Sequence, residues 1–434
     1  MVEFITNVNS AVNGFVWGVP MLVLLVGTGI LMTILTKFFQ LSHLGHWFKN
    51  TVGGIFHDEH VTKHTEAGDQ SISQFQSLCT ALAATIGTGN IVGVASALVA
   101  GGPGAIFWMW VVAFFGMMTN YSENVLGIYY RRRNSKGEWS GGAMYYLKDG
   151  LGSYKGCKQI GAVLAVLFSA FCLLASFGIG NMSQVNSIAA NMTSAFSIPA
   201  IFKGAFGLRA VGGGIVGSGV KLALTWGMKR GVFSNEAGLG SSVMVHSSSN
   251  VKEPVRQGMW GIFEVFADTM VVCTLTAFAV LSSGLIDLDT GAVLVDVSGS
   301  ALVGQAFATV FGSFGPAFIA IAILLFAFST VLGWSHYGSK ACEYLFGTKS
   351  TIVYKIAFVL MIFIGCTMNL GLAWDLSDTF NGLMAIPNLI GVIALSPVVM
   401  KITKNYVARI IKKEDVKPML SVFPEIQEEQ EKAM

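Results

Sequence analysis

The chain has 434 residues, of which 53% are hydrophobic and only 12% are charged. Soluble globular proteins carry roughly 25% charged residues, so the composition excludes that class and predicts an all-α, polytopic membrane protein. The formal net charge of +3 gives no reason to expect a nucleic-acid partner. The cysteines lack metal-ligand or CxxC spacing, and hydrolase, zinc-protease and nucleotide-binding motifs are missing. We therefore expect neither an enzyme nor an organic cofactor.

Hydropathy predicts nine membrane-spanning helices, because a helix needs roughly 20 apolar residues to cross a bilayer. The predicted spans are 14–36, 74–99, 105–130, 160–188, 214–245, 257–284, 303–335, 352–373 and 380–400. Lys and Arg gather in alternate connections, whereas Asp375 and Asp378 lie in a connection poor in basic residues. The positive-inside rule then predicts a periplasmic N-terminus (1–13), a cytoplasmic linker (37–73) and a cytoplasmic tail (411–434). We expect this acidic tail to be disordered or to lie on the surface.

One apolar segment, 74–104, has a polar, glycine-rich centre, TIGTGN, at 85–90. Each glycine costs on the order of 1 kcal/mol relative to alanine inside a helix, and Thr and Asn side chains compete for backbone hydrogen bonds. We interpret the segment as a broken membrane helix. Its freed N–H groups suit a carboxylate and its freed C=O groups suit a small cation. The alternative is an unbroken helix whose small residues pack against a neighbouring helix.

A second interruption, KRGVFSNEAGLGS, begins at Lys229. Charges within an apolar context indicate a functional site, and two broken helices in one chain are typical of transporters with a site at the membrane midplane. We expect 232–238 to be non-helical and to face 85–90. The alternative is that 229–249 is the cytoplasmic end of a span, with Lys229 and Arg230 at the membrane interface.

Three stretches of the chain carry a resemblance to a known family. They are ATIGTGNIVGVASALVAGGPGAIFWMW, SGGAMYYL and RGVFSNEAGLGS. These stretches resemble the alanine/glycine:cation symporters, and the resemblance runs from about residue 14 to about residue 410. It implies the leucine-transporter-type fold, an inverted repeat of five plus five helices, at 74–410. An additional transmembrane helix at 14–36 would precede this core.

The chain departs from the family pattern in one place. Core helices four and five are expected between the third core helix and the span at 214–245, but SAFSIPAIFKGAFG joins the two directly. About fifty residues, enough for two spans of roughly 20 residues, are therefore missing near 196–213. The fifth helix commonly helps form the inner gate of this fold. The chain can therefore transport only if its inner gate forms without that helix.

The resemblance implies a substrate site around the two interruptions. The residues assigned to the substrate are Ala84, Thr85, Thr88, Gly89, Gln184, Phe233 and Trp334. Free N–H groups of the first interruption would take the amino-acid carboxylate, and Gln184 would bind the zwitterion's head. Phe233 would cap the substrate side chain and Trp334 would wall the pocket. The alternatives are an interhelical hydrogen bond for Gln184 and an anchor at the membrane interface for Trp334.

The resemblance also implies sodium ligands. The residues assigned to sodium are Ala83, Ile86, Asn90, Ser234, Asp268, Ala327, Ser329 and Thr330. The hydroxyls of Ser329 and Thr330, with carbonyls near Ala83 and Ile86, would form a sodium site shared by this fold, because hard cations prefer oxygen ligands. The alternative for the two hydroxyls is hydrogen bonding back along their own helix.

Three carboxylates lie within or close to the predicted site segments. Glu264 and Asp268 are four residues apart and share a helix face, and carboxylates within a span are rare and expensive. A salt bridge or a position near the cytoplasmic end is the alternative for Asp268. Glu236 either pairs with Lys229 or Arg230, or balances the ammonium group of the substrate.

The predicted function is secondary active symport across the cell (inner) membrane. Sodium entry would drive the uptake of a small neutral amino acid, alanine or glycine, by a monomer surrounded by membrane lipid. One alternative is an ion channel, with the glycine-rich breaks as its filter. The other is a transport-incompetent remnant of such a symporter, which lacks two helices.

Overall fold

The structure, a computed structural model, describes residues 2–63, 71–196, 219–288, 290–297, 299–367 and 370–433. Within these ranges the chain is a helical bundle with one short β-hairpin. The predicted loss of two helices near 196–213 falls almost entirely outside the described residues.

Most helices are separated by short turns. The first twelve helices are α1 Val2–Val16, α2 Val19–Leu35, α3 Phe39–Ser42, α4 Leu44–Asn50, α5 Val52–His57, α6 Glu59–Thr62, α7 Gln74–Thr85, α8 Val94–Gly101, α9 Gly104–Tyr129, α10 Ala143–Tyr145, α11 Lys158–Phe177 and α12 Ser183–Phe196. The remaining helices are α13 Gly219–Asn235, α14 Val243–His246, α15 Pro254–Val265, α16 Thr274–Leu281, α17 Ser300–Phe311, α18 Phe314–Phe346, α19 Thr351–Thr367, α20 Leu370–Ala394, α21 Ser396–Tyr406 and α22 Pro424–Lys432. The hairpin strands are β1 Arg132–Arg133 and β2 Trp139–Ser140. Wide π-type turns lie at Gly89–Gly93, Tyr146–Gly150, Gly178–Met182, Phe266–Cys273 and Val407–Ile411, and tight 3-10 turns lie at Leu151–Ser153 and Thr348–Ser350.

The described helices include several that are able to cross a membrane. Five are long and apolar enough by themselves, and the number rises to at most eight if each bent pair of helices forms one span. A multi-span helical protein is therefore confirmed. The predicted span 214–245 is only partly described, and its helix α13 ends at Asn235.

The predicted span 303–335 is wrong, because the structure divides it between two helices. Helix α17 ends at Phe311, where Gly312 adopts a left-handed backbone with φ of +57°. Glycine tolerates this conformation and commonly ends helices. The chain then reverses, and α18 packs back against α17. Hydropathy missed the turn because apolar residues flank it on both sides.

The C-terminal tail is ordered on the surface of the bundle, so the disordered alternative is wrong. Gln427 in α22 accepts hydrogen bonds from the backbone N–H groups of Leu420 and Ser421, at 2.8 and 2.9 Å. The N–H of Val422 donates to the carbonyl of Tyr129 at 3.0 Å. These bonds join the tail to the end of α9.

Two long helices position the broken segments. Helix α9 packs against α2, α13 and α15, and helix α18 packs against α7, α11 and α12. The first break follows α7, which packs on α18, and the second break follows α13, which packs on α9. The two breaks therefore lie between these two long helices. Helix α19 lies at the outside, and its exposed Ile352, Val353 and Phe363 give it a surface suited to lipid.

Candidate substrate and cation site

The first predicted break is confirmed. Helix α7 stops at Thr85, and its axis makes an angle of 52° with the helical segment that begins at Gly89. The N–H of Gly87 donates to Asn90 Oδ1 at 2.9 Å, and the N–H of Thr88 donates to Gln184 Oε1 at 3.2 Å. Side chains thus satisfy these two N–H groups. The expectation that both are free to bind the amino-acid carboxylate is therefore wrong.

Helix α18 lies directly on this break. A Cβ atom added at Gly87 would overlap Thr330 Oγ1, and one added at Gly333 would overlap Ala84. Both glycines therefore permit an approach that a side chain would prevent. Gln184 makes the interhelical hydrogen bond that was its alternative role, and that bond places it beside Thr88, a predicted substrate residue.

The second break is also present, but it begins later than predicted. Residues 232–235 still belong to α13, and the helix ends at Asn235. Glu236 has a left-handed backbone with φ of +57°, and the positive φ values of Gly238 and Gly240 carry the chain to α14. A left-handed non-glycine residue costs about 1–2 kcal/mol, and such strain occurs preferentially at functional sites.

Asp268 joins the two broken segments. Its carboxylate accepts hydrogen bonds from Asn90 Nδ2 at 2.6 Å and from Ser234 Oγ at 2.7 Å. Thr269 Oγ1 donates to it as well, at 2.9 Å. Asp268 is fully buried, and these donors are all neutral, so its negative charge is solvated by the protein without being cancelled by them.

The predicted sodium residues on α18 are only partly brought together. Thr330 Oγ1 lies 3.4 Å from the carbonyl oxygen of Ala83 and 3.3 Å from that of Ile86, and Ala327 is buried one turn earlier. Thr330 Oγ1 also lies 3.1 Å from the carbonyl oxygen of Phe326 in its own helix, so its alternative role is present as well. The Ser329 hydroxyl donates to the same carbonyl of Phe326, at 2.8 Å. The structure therefore places Thr330, but not the hydroxyl of Ser329, at the carbonyls of the first break.

Glu236 does not pair with Lys229 or Arg230, so that alternative is wrong. Its carboxylate accepts hydrogen bonds from Trp334 Nε1 at 2.7 Å and from Ser241 Oγ at 2.5 Å. Trp334 is fully buried, which also rules out its alternative as an interface anchor. The indole therefore links α18 to the second break.

The partner of the two basic residues is Asp378. Lys229 Nζ lies 2.7 Å and Arg230 NH1 3.2 Å from its carboxylate oxygens. The connection predicted around Asp378 is wrong, because the residue lies within α20 and is fully buried. The Arg230 guanidinium also lies 4.8 Å from the ring centre of Trp374. We call Lys229, Arg230, Trp374 and Asp378 the cationic cluster.

The cationic cluster covers Phe233, which the sequence predicts to contact the substrate, and connects it to the N-terminal helix. The ring of Phe233 stacks on that of Trp374 at 4.8 Å. Trp17 Nε1 donates to the carbonyl of Asp378 at 2.8 Å, and Asn13 Nδ2 donates to Thr379 Oγ1 at 3.0 Å. Sequence reasoning missed Asp378 and Trp374, although two adjacent basic residues in an apolar segment were a signal that a buried acid lay elsewhere.

Comparison with known proteins matches the chain to one family model and to several proteins named as transporters or symporters. The sequence model of the sodium:alanine symporter family matches residues 2–204 and 197–420. The sodium/alanine symporter AgcS of Methanococcus maripaludis is 42% identical over 463 aligned positions, which cover 93% of this chain and 97% of AgcS. An uncharacterized transporter of Haemophilus influenzae is 37% identical, with 94% of this chain and 97% of the relative covered. The probable sodium/glutamine symporter GlnT of Bacillus subtilis is 32% identical, with 94% and 91% covered.

Proposed function

Because the chain belongs to the sodium:alanine symporter family, we propose that it couples sodium entry to the uptake of alanine or glycine. The relatives carry different substrates in their names, alanine for AgcS and glutamine for GlnT. Family membership therefore supports cation-coupled amino-acid symport, and the preference for a small side chain rests on the site itself.

The observation that carries the proposal is the position of Asp268 between the two breaks. One carboxylate oxygen contacts Asn90 of the first broken segment and the other contacts Ser234 of the second. A sodium ion held at this carboxylate would draw both segments together. Asn90 also accepts a hydrogen bond from the N–H of Gly87, so an ion at Asp268 would order the segment that carries Thr88. This supplies the coupling to amino-acid binding.

The substrate would lie beside the first break. The Thr88 hydroxyl is fully buried and has no hydrogen-bond partner among the described residues, so it is available to the amino-acid carboxylate. Gly89 packs against Ser234 and Phe233, whose atoms an added Cβ would meet at 3.2 and 3.3 Å. Space next to the break is therefore small, which favours alanine or glycine. Glu236 would balance the substrate's ammonium group.

The membrane potential would add to the driving force. One positive charge moving inward is worth roughly 2.3 kcal/mol per 100 mV. We propose that the N-terminus lies outside, so that the cationic cluster near α1 faces the exterior and α14 faces the cytoplasm. A second sodium ion would occupy the carbonyls of Ala83 and Ile86 together with Thr330, since these oxygens are the ligands that a hard cation prefers.

We also propose a leucine-transporter-type bundle that lacks core helices four and five. Two observations support this proposal. An alignment of 463 positions with AgcS is longer than the 434-residue chain, so it contains positions that this chain does not fill. The two matches to the family model also meet at 197–204, where the sequence predicts the gap.

Uptake of labelled alanine into proteoliposomes tests the function. We expect an inward sodium gradient to drive saturable uptake that glycine inhibits. Uptake that is unchanged when choline replaces sodium would contradict sodium coupling, and single-channel currents would favour the ion channel. Sodium-dependent alanine binding without uptake would identify a remnant, and uptake restored by inserting the two helices of a relative would assign the defect to their loss.

A further inference from the structure

One face of helix α20 carries polar side chains past the second break. Trp374, Asn381 and Asn388 follow one another at intervals of seven residues, which is close to two full helical turns, so they share a face of the helix. The ring of Trp374 stacks on Phe233, just before the break. Asn388 Nδ2 donates to the carbonyl of Gly238, within the break, at 2.9 Å. Asn381 therefore lies between these two contacts, opposite the centre of the break.

Two neighbouring residues of α20 narrow the direction in which Asn381 points. Asp378, three positions earlier, forms its ion pairs with α13. Ser377, four positions earlier, packs on another element, because a Cβ atom added at Gly178 would lie 3.0 Å from Ser377 Cα. Positions three and four residues away lie on either side of a helical residue. Asn381 therefore points between α13 and the wide turn Gly178–Met182.

Trp334 and Glu236 bound the same space. A Cβ atom added at Gly180, in that wide turn, would overlap the Trp334 side chain. The indole Nε1 of Trp334 donates to Glu236 at 2.7 Å, so this side chain reaches from the wide turn to the second break. Trp334 is predicted to wall the substrate pocket and Glu236 to balance the substrate's ammonium group. Asn381 thus faces the proposed amino-acid site from α20.

The amide of Asn381 is buried and unused. Only 1% of the residue is exposed, and neither Oδ1 nor Nδ2 has a hydrogen-bond partner among the described residues. The indole N–H of Trp374, on the same helix face, is also buried and lacks a partner in the described part of the chain. Leaving buried polar atoms unpaired is costly, so this face of α20 is suited to a polar ligand.

The chemistry of the amide selects that ligand. Its oxygen accepts hydrogen bonds and its nitrogen donates them, side by side in one planar group. The head of an amino acid is complementary, because its ammonium donor and its carboxylate acceptor are attached to one carbon atom. We propose that Asn381 binds this head, with Oδ1 accepting from the ammonium group and Nδ2 donating to the carboxylate. The assignment rests on the proposed function and adds a contact from α20 to it.

A neutral amide suits a site that already contains a carboxylate. Glu236 is fully buried, and a further charge beside it would have to be removed from water as well. Asn381 holds both charged groups of the substrate without adding a charge of its own. Holding the two groups together also fixes the orientation of the amino acid. A compound that carries only one of them, such as propionate or ethylamine, loses one of the two bonds.

Calorimetry of alanine binding in sodium to the full-length chain tests the assignment. Asn381→Leu keeps the approximate size of the side chain and removes both polar atoms. Because hydrogen bonds to charged groups are the strong ones, alanine affinity should fall roughly 10- to 100-fold. Ser377→Ala is the matched control on the same helix, since the Ser377 hydroxyl donates to the carbonyl of Ala373 at 2.6 Å. Unchanged alanine affinity in Asn381→Leu would overturn the proposal and leave a buried water molecule as the only ligand of the amide.

Thermal unfolding without amino acid separates binding from a structural role. Replacing an unpaired buried amide by an apolar group of similar shape is neutral or stabilising, so the Tm of Asn381→Leu should not fall. A lowered Tm together with the weaker binding would assign the residue to the packing of α20 and contradict the proposal. Asn381→Ala, which cannot crowd its neighbours, should show the same loss of affinity and replaces the leucine variant if that variant does not fold.

Glycine provides a readout that distinguishes the head from the side chain. Alanine and glycine share the head, so Asn381→Leu should weaken both by the same factor, and a loss confined to alanine would overturn the assignment. Uptake measurements separate the two proposals. Alanine binding that depends on Asn381 without any uptake would refute only the proposed function, whereas sodium-driven uptake with unchanged affinity in Asn381→Leu would refute only this inference. An unmodified protein that binds neither amino acid would overturn both.

Discussion

The polar core ends in two clusters with opposite charge arrangements. In the cationic cluster, two basic side chains share the buried carboxylate of Asp378. In a second buried cluster, Glu264 Oε2 lies 3.0 Å from His246 Nε2 and accepts a hydrogen bond from Asn120 Nδ2 at 3.2 Å. Removing one member of an ion pair leaves a buried charge uncompensated. Changing a carboxylate held by neutral donors instead alters what the site binds. The cationic cluster should therefore govern stability, whereas Asp268, whose carboxylate accepts hydrogen bonds from neutral donors of both breaks, should govern ion dependence.

The largest expected effect is on stability, in Asp378→Asn. This change leaves Lys229 and Arg230 without their carboxylate in a buried site, and breaking a buried pair costs about 3–5 kcal/mol. Thermal unfolding in detergent should show a clearly lowered Tm. Combining it with Lys229→Met should recover part of the loss, because one of the uncompensated charges is removed. A Tm equal to that of the unmodified protein would show that the ion pairs do not stabilise this end.

The second-largest expected effect is a change in sodium dependence, caused by the substitution Asp268→Asn. It removes a buried charge and at least one hydrogen bond to a charged group, each worth about 1.5–3 kcal/mol, so sodium affinity should fall by roughly 10- to 100-fold. Calorimetry of alanine binding at several sodium concentrations measures the change. Asp415→Asn, in the exposed C-terminal segment, serves as the control. Unaltered sodium dependence in Asp268→Asn would refute the role of this carboxylate.

Gly87→Ala should disturb the first break. The added Cβ would overlap Thr330 Oγ1, and overpacking of this kind costs typically 1–3 kcal/mol. We expect alanine affinity to fall by about 5- to 100-fold. Gly27→Ala is the matched control, because its Cβ would meet no atom within 4 Å. Equal alanine affinity in the two variants would show that the close approach of α18 is not needed.

The smallest effect distinguishes two neighbouring hydroxyls. Thr330→Val removes the oxygen that lies near Ala83 and Ile86, and one hydrogen-bonding group is worth about 1 kcal/mol, so sodium affinity should fall roughly 5-fold. Both hydroxyls contact the carbonyl of Phe326 in their own helix. Ser329→Ala should have little effect, because the Thr330 hydroxyl is the one that also lies near the carbonyls of Ala83 and Ile86. Uptake measured against sodium concentration compares them. A larger effect in Ser329→Ala would show that the serine turns towards the ion.

Sequence reasoning succeeded where the signal was local. Glycine and threonine at 85–90 predicted a broken helix, because those residues weaken a helix wherever they occur. It also selected Asn90, Ser234 and Asp268, which the structure brings into contact. Their assignment to sodium stays a prediction.

The failures concern partners distant in the chain. Asp378 lies 148 residues from Arg230, and local hydropathy placed it in a connection because charges are rare in spans. Trp334, which donates a hydrogen bond to Glu236, could not be deduced either. It lies 98 residues from Glu236, and α18 reaches the second break only through tertiary packing. The turn at Gly312 was invisible because a single glycine between apolar residues is also compatible with an unbroken helix.

The central claim is that one ion orders both breaks and so prepares the amino-acid site. Calorimetric titration of alanine into the unmodified protein, in sodium and in choline, tests it most directly. Coupling between two sites typically amounts to about 1–3 kcal/mol, or roughly 5- to 150-fold in affinity. We predict alanine binding at least about 5-fold tighter in sodium, with sodium affinity raised by the same factor when alanine is present. Equal alanine affinity in the two salts would contradict the account.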